Sequence, residues 1–108
     1  IPYARPPVGE LRFQPPQPAE SWTGVRNATL DGEVCIQMNY LEPEEITVGS
    51  EDCLNLNVYT PSLPKNGKKY AVLVWFFGGS WLEGSADSRM YGPEFLLDHD
   101  IVLVASNY

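Results

Sequence analysis

The sequence predicts an α/β fold, because two apolar runs and one alternating run have the lengths of strands. Tyr70–Phe77 is apolar on both faces and ends at two glycines, so we expect a strand inside a sheet that helices cover on both sides. Ile101–Ala105 has the same character and predicts the next buried strand. Leu54–Thr60 alternates apolar and polar residues, which predicts a half-buried strand. Its inner face would carry Leu54, Leu56 and Val58.

The first thirty residues predict extended and irregular structure. Paired prolines in residues 1–20 remove backbone donors and exclude a long helix, so this segment should wrap a surface. Ser21–Leu30 follows as a loop that contains Asn27-Ala28-Thr29, which fits the N-glycosylation sequon. Such tripeptides also occur by chance, so an ordinary polar loop is the alternative.

The connections between the predicted strands contain one turn, one loop and one helix. Residues 61–69 form a polar turn with Asn66-Gly67 at its tip, which is a hairpin signal. Residues 80–92 predict a long loop. Pro93–His99 predicts a short helix with proline in its first turn.

Composition excludes two classes of partner. The 7 Lys and Arg against 14 Asp and Glu give a net charge of -7, which argues against nucleic acid and against an anionic membrane surface. The longest apolar run, Tyr70–Phe77, is far shorter than the roughly 20 residues of a helical membrane span. Because the chain stops at Tyr108, directly after an apolar run, we expect residues 1–108 to be an incomplete portion of a single longer domain.

Cys35 and Cys53 are the only cysteines, and 17 residues separate them. That spacing matches no zinc site, and the only histidine, His99, is distant in sequence. A disulfide is the favoured interpretation. It would stabilise the fold by ~3 kcal/mol in the chain-entropy model and would indicate an oxidising compartment. Two unrelated buried thiols are the alternative.

The chemically informative feature is the turn Gly78-Gly79-Ser80-Trp81, which follows directly on a predicted buried strand. Small residues let another molecule approach the backbone N–H groups, and ligands of open α/β sheets bind at the carboxyl ends of the strands. The turn could cradle a phosphate, hold an oxyanion or simply reverse the chain.

Three common motifs are absent from this turn. The glycines fit neither the dinucleotide-binding pattern G-x-G-x-x-G nor the phosphate loop. Ser80 has Leu82 where the nucleophile motif G-x-S-x-G needs its second glycine, so Ser80 is not a catalytic nucleophile. His99 lies between Asp98 and Asp100 and is expected at a helix end rather than in a catalytic site.

Taken together, three segments resemble the type-B carboxylesterase and cholinesterase family. Glu51–Pro61 is similar to the family signature E-D-C-L-x-L-N-V-Y-x-P. Ile1–Gly9, with Leu11–Phe13 and Trp22–Val25, resembles the amino-terminal stretch of the family, and Val74–Trp81 resembles its glycine-rich oxyanion turn. The resemblance implies the amino-terminal part of an α/β-hydrolase fold, which has a mixed, mostly parallel central sheet with flanking helices.

The resemblance also implies a set of roles. Gly79 and Ser80 would donate backbone N–H groups to the tetrahedral intermediate, and Gly78 would let the chain aim them. The catalytic Ser, Asp or Glu, and His would all lie downstream of this chain. Trp81 and Leu82 would line the substrate pocket, although Trp81 could instead be a packing aromatic. Cys35 and Cys53 would be bridged, with Arg12 and Glu51 as a nearby ion pair; no metal or cofactor is implied.

Two positions depart from the family pattern. Phe77 stands where His or Tyr is usual, and Ser80 stands where Gly or Ala is usual. The loop between the cysteines is short and lacks the Trp with which cholinesterases contact a quaternary ammonium, so a small apolar ester is the expected substrate rather than a choline ester. We therefore expect a secreted carboxylesterase of the general type, which includes the arthropod enzymes. A catalytically inactive adhesion ectodomain is the alternative, and a nucleotide-binding protein is a distant third.

Overall fold

The computed structural model describes residues 1–39, 46–63 and 67–108, and they form one three-stranded sheet, one two-stranded hairpin and several short helical turns. The α-helix is α1, Ser88–Tyr91, and the 3-10 turns are Gly9–Leu11 and Leu96–Asp98. The strands are β1 Gln37–Asn39, β2 Ile46–Val48, β3 Leu56–Tyr59, β4 Ala71–Phe76 and β5 Ile101–Ser106.

The main sheet has the order β3-β5-β4, with β5 in the centre. Val104 of β5 faces Val74 of the parallel strand β4 on one side and Val58 of the antiparallel strand β3 on the other. The prediction of a buried strand at Ile101–Ala105 is confirmed, since Ala105 is completely buried. In the central position β5 forms ladder hydrogen bonds along both edges, to β3 and to β4.

Asn66-Gly67 predicted a hairpin in which β3 and β4 pair with each other, and this prediction is wrong because β5 lies between them. Gly67 does occupy a turn, with a φ of +73°, and Asn66 lies outside the described residues. An Asn-Gly dipeptide indicates a local chain reversal. It does not determine whether the two flanking strands pair with each other or with a third strand.

The prediction that β4 is covered on both faces is also wrong for the described part of the chain. Its residues from Val72 to Phe76 are 41–62% exposed, and Val58 on the predicted inner face of β3 is exposed as well. The strand bonds only to β5, and α1, with four residues, is the longest described helix. A parallel strand of an α/β sheet needs helices on both faces, and no described element is long enough to provide them.

The helix predicted at Pro93–His99 is reduced to the single 3-10 turn Leu96–Asp98. The preceding segment, predicted as a loop only, contains α1, which Asp87 caps by accepting a hydrogen bond from the backbone N–H of Arg89 at 2.8 Å. Gly92 ends α1 in an extended conformation, because a residue before proline avoids helical angles. The polar cap and the Gly-Pro pair therefore determine where this helix forms.

The amino-terminal segment is extended and wraps one end of β3, as predicted. Pro2 bridges to Asn55, Ala4 bridges to Pro18, and the Tyr3 hydroxyl donates to the Asn107 carbonyl at 2.9 Å. Cys35 and Cys53 form a disulfide with their Cα atoms 4.9 Å apart. No helix in the described ranges is long and apolar enough to cross a membrane.

Candidate functional site

The glycine turn lies where predicted, immediately after the carboxyl end of β4. Ser80 and Trp81 adopt left-handed backbone conformations with φ values of 55° and 60°. The Gly79 carbonyl accepts hydrogen bonds from the N–H groups of Leu82 at 2.9 Å and Glu83 at 3.2 Å. These bonds close a tight turn whose backbone is neither extended nor helical.

The N–H groups of Gly79 and Ser80 donate no hydrogen bond to any described residue. Gly78 and Ser80 are exposed, and Gly79 is half-buried. The turn therefore uses the Gly79 carbonyl internally and leaves two consecutive backbone donors for an outside acceptor. Two such donors can stabilise a negatively charged oxygen if they converge on it.

Glycine at position 79 is required by close packing. A Cβ atom at Gly79 would collide with the Glu83 carbonyl oxygen, which lies across the turn. At Gly78, by contrast, a Cβ atom would have no heavy atom within 4 Å. The two neighbouring glycines thus differ: Gly79 is needed for the turn to close, and Gly78 has open space beside it.

The far end of the turn is held by side chains from distant segments. Gln37 of β1 accepts from the Gly84 N–H at 2.7 Å and donates to the Gly84 carbonyl at 3.0 Å. The Asn107 side chain accepts from the Ala86 N–H at 2.8 Å, and Asn57 donates to the Ala86 carbonyl at 2.9 Å. The loop after the turn is therefore fixed to β1, β3 and the end of β5.

A second set of bonds fixes the start of α1. The Asp31 carboxylate accepts from the Ser88 N–H at 3.0 Å, the Ser88 hydroxyl at 2.7 Å and the Asn57 amide at 2.8 Å. The hydrogen bonds from the Arg89 side chain, above all, hold the pKa of the Asp87 carboxyl below its usual range. Burial, and then the nearby Asp31 carboxylate, raise the pKa of the Tyr59 phenol.

An open depression of 260 Å³ lies beside the turn, with Phe77, Trp81, Leu82 and Tyr108 in its lining. Tyr108 stacks on Phe77 with ring centroids 4.7 Å apart and donates its hydroxyl to the Phe77 carbonyl at 2.8 Å. Trp81 is 94% exposed within the described ranges. Gly78, Gly79 and Ser80 do not line the depression.

A larger hollow of 560 Å³ lies elsewhere, between the amino-terminal segment and residues 26–33. Its lining includes none of the turn residues. Size alone therefore does not identify the chemical site. The unbonded backbone donors and the apolar side chains beside them make the glycine turn the candidate site.

The remaining candidate residues lie away from the turn. Arg12 and Glu51 form an ion pair. The exposed Asn27 accepts hydrogen bonds through its Oδ1 from the Thr29 N–H and hydroxyl, at 3.2 and 2.8 Å. His99 is exposed and precedes β5 at the end of the sheet opposite to the turn. Among the described residues, no cluster of His, Cys, Asp and Glu could hold a metal ion.

Sequence reasoning missed the residues that position the turn. Asn107 carried one usable signal, because a polar side chain directly after a buried strand must find hydrogen-bond partners. Gln37 carried none, since its partner Gly84 is 47 residues away in sequence. Contacts of that kind become visible only once the chain is folded.

The topology and the turn together define a class of protein. A mixed sheet whose parallel strand runs into a glycine turn with free N–H groups is the arrangement of α/β-hydrolases, which use such amides beside a serine nucleophile. The predicted fold class is confirmed by solved structures of that class, which cover the whole chain.

Comparison with known proteins identifies the family within that class. The model of the carboxylesterase family matches residues 1–108. A juvenile hormone esterase of Tribolium castaneum is 44% identical over 108 residues, which are all of this chain and 18% of that protein. The crystal structure of a Geobacillus stearothermophilus carboxylesterase superposes with a TM-score of 0.83 at 46% identity, and that of the Manduca sexta juvenile hormone esterase with OTFP covalently attached superposes with 0.84 at 38% identity. Each superposition covers 100% of this chain and 21% of the other.

The chain belongs to the carboxylesterase family and corresponds to an amino-terminal portion of it, closer to the carboxylesterases than to the cholinesterases. It spans about a fifth of the length of these relatives. The relatives are esterases by name, and none of them supports the adhesion alternative.

Proposed function

We propose that this chain supplies the oxyanion-binding turn of a carboxylic-ester hydrolase that works through a serine acyl-enzyme. The serine, histidine and acidic residue of the triad lie in the remainder of the protein. The observation that carries the proposal is the pair of unused N–H groups at Gly79 and Ser80, at the carboxyl end of β4. The covalent adduct in the Manduca sexta relative supports the covalent step.

The chemistry follows from the positions of these donors. A serine oxygen attacks the ester carbonyl carbon while the histidine takes the serine proton, and the C=O double bond becomes a C–O⁻ single bond. The alcohol leaves with that proton when the carbonyl re-forms, and water then hydrolyses the acyl-serine by the same steps. The N–H groups of Gly79 and Ser80 donate to the negative oxygen, and a third donor follows the serine in the chain. Each donor contributes about 10² to 10³ in kcat, because it stabilises charge that exists only in the transition state.

Trp81 and Leu82 give the substrate its apolar contact. Both side chains line the 260 Å³ depression beside the turn and are largely exposed to solvent. An apolar acyl or alcohol group that covered them would gain about 0.8 kcal/mol for each buried CH₂ group. Small apolar esters are therefore the proposed substrate class.

The two departures from the family pattern leave the donors in place. Phe77 is buried against Tyr108 and serves as a packing residue, so the loss of a polar side chain there does not alter the turn amides. Ser80 is accommodated at a φ of 55° with its N–H free. Backbone donation does not depend on the side chain at either position.

The disulfide and the exposed sequon asparagine favour a secreted protein. Cys35 and Cys53 are joined, and disulfides persist in oxidising compartments. Asn27 lies in an exposed loop, where a glycan can be attached. Digestion of the secreted protein with an N-glycosidase should lower its mass, and the loss should be smaller by one glycan in an Asn27→Gln variant.

A fluorophosphonate probe tests the enzymatic proposal on the full-length protein. We expect covalent labelling of one serine and hydrolysis of a short aryl ester, both blocked by prior labelling. The isolated 108-residue chain should neither react nor unfold cooperatively, because it lacks the nucleophile and leaves β4 uncovered. Folded full-length protein that neither reacts with the probe nor hydrolyses the ester would contradict the proposal.

A further inference from the structure

The Gln37 side-chain amide makes three hydrogen bonds, and two of them go to one residue of the turn loop. Its Nε2 group donates to the Gly84 carbonyl at 3.0 Å and to the Cys35 carbonyl at 3.0 Å, and its Oε1 accepts from the Gly84 N–H at 2.7 Å. The side chain therefore pairs with Gly84 through the same two-way bond that one strand residue makes with another. No other described side chain bonds both backbone groups of a loop residue in this way.

Gly84 directly follows the residues that close the turn. Leu82 and Glu83 donate to the Gly79 carbonyl, so the ring of the turn ends at Glu83. Gly84 has a φ of +125°, and a Cβ atom there would collide with the Phe77 ring. Gly84 is thus held between Phe77, at the end of β4, and the Gln37 amide, which fixes the two ends of the turn relative to each other.

The backbone of Gln37 is itself anchored to the sheet. Cys35, two residues earlier, is joined to Cys53 by the disulfide. The Cys53 carbonyl accepts from the Asn107 side chain at 3.2 Å, and Asn107 follows β5. A continuous set of bonds therefore runs from the central strand through the disulfide to Gln37 and on to Gly84.

We propose that Gln37 is a positioning residue that fixes the direction of the Gly79 and Ser80 N–H groups, an inference that rests on the proposed function. Without the Gln37 amide, the N–H and C=O groups of Gly84 lose their partners and bond to water, and the turn can rotate about its open end. Oxyanion donors stabilise the transition state only when they are aligned before the reaction. Gln37 also lines the 260 Å³ depression, but its amide is already bonded to the backbone of Cys35 and Gly84, so we expect it to act on kcat rather than on binding of the ground-state ester.

The test compares Gln37→Ala with Gln17→Ala in the full-length protein. Gln17 is an exposed glutamine whose side chain, among the described residues, bonds only to the Pro15 carbonyl, so Gln17→Ala controls for the loss of the same side-chain amide at another position. We expect Gln37→Ala to lower kcat by about 10-fold to 100-fold and to change KM by less than 3-fold. Complete loss of one oxyanion donor lowers kcat by about 10² to 10³, and misalignment should cause part of that loss. The inhibition constant of a trifluoromethyl ketone should rise by a similar factor. Gln17→Ala should leave kcat, KM and this inhibition constant unchanged.

Gln37→Glu gives a second readout that loss of structure would not give. Its carboxylate can accept from the Gly84 N–H but cannot donate to the Gly84 carbonyl, whereas its protonated form can do both. The ratio of kcat between the variant and the parent protein should therefore rise as the pH falls through the titration of the new carboxyl group. Unfolding temperatures of both variants establish that folded protein is being compared.

The outcomes separate the two proposals. If the parent protein neither reacts with the fluorophosphonate nor hydrolyses esters, the proposed function fails, whatever Gln37 does. If the parent is active and folded Gln37→Ala retains its kcat, or loses activity only through KM, the positioning role is refuted and the function stands. If neither Gln37 variant folds, Gln37 is a folding residue and the positioning role is likewise refuted.

Discussion

Substitution of Gly79 by alanine is the most informative perturbation of the turn. The added Cβ would collide with the Glu83 carbonyl oxygen, so the turn must open and give up the hydrogen bonds from Leu82 and Glu83 to the Gly79 carbonyl. Two lost hydrogen bonds cost about 2 kcal/mol, and overpacking adds about 1 kcal/mol or more. We expect the free energy of unfolding to fall by about 3 kcal/mol, and kcat to fall by about 10² to 10³ because the donor at residue 79 is displaced.

Two other Gly→Ala variants separate the effect of an added methyl group near the turn from the effect of backbone strain at a positive φ. Gly78→Ala adds a methyl group beside the same turn in open space, so it should change the free energy of unfolding by less than about 1 kcal/mol. Gly24→Ala places alanine at a φ of +74° far from the turn, so it reports backbone strain alone and should leave kcat unchanged.

The assay is steady-state hydrolysis of an aryl ester by the full-length protein, together with chemical denaturation of each variant. Gly79→Ala should lose more stability than Gly78→Ala, and it should lose kcat where Gly24→Ala does not. A Gly79→Ala protein with parental stability and a kcat within 3-fold of the parent would refute it. The collision with Glu83 would then not control the turn.

Three further perturbations test separate parts of the account. Ser80→Gly relieves a left-handed φ of 55° and should raise the free energy of unfolding by about 0.5 kcal/mol in denaturation, since the relief of about 1 to 2 kcal/mol exceeds the added freedom of glycine in the unfolded chain. Trp81→Ala should lower kcat/KM about 5-fold to 30-fold for a hexanoyl ester but less than 3-fold for the acetyl ester, and equal losses for both would remove Trp81 from the pocket. Asp87→Asn keeps an N-cap but removes the carboxylate whose pKa is lowered by Arg89. A lowered pKa stabilises the fold above the unfolded-state pKa of about 4, so the parent should exceed the variant in stability at pH 6. That advantage should shrink as the pH falls below about 4, as measured by denaturation at each pH.

The sequence predicts those parts of the fold that depend on local pattern. Ile101–Ala105 could be assigned as a buried strand because it is apolar at every position, and the structure buries Leu103 and Ala105. Cys35 and Cys53 could be paired because they were the only cysteines. The position of the glycine turn could be predicted because a strand must end where consecutive glycines begin.

Other features depend on which segments meet, and these could not be predicted. The strand order that places β5 between β3 and β4 is not encoded in the alternation of any one strand. The cover expected over β4 requires helices that the described residues do not provide. The hydrogen bonds between Gln37 and Gly84 join residues 47 positions apart, and the sequence around neither residue indicates that they pair.

The most direct test is a crystal structure of the full-length protein with a trifluoromethyl ketone bound covalently to its serine. The account predicts the oxygen of the adduct at 2.7–3.1 Å from the backbone nitrogens of Gly79 and Ser80, the range expected of oxyanion donors. An adduct oxygen more than 3.5 Å from both nitrogens, or N–H groups that bond to other protein atoms instead, would contradict it.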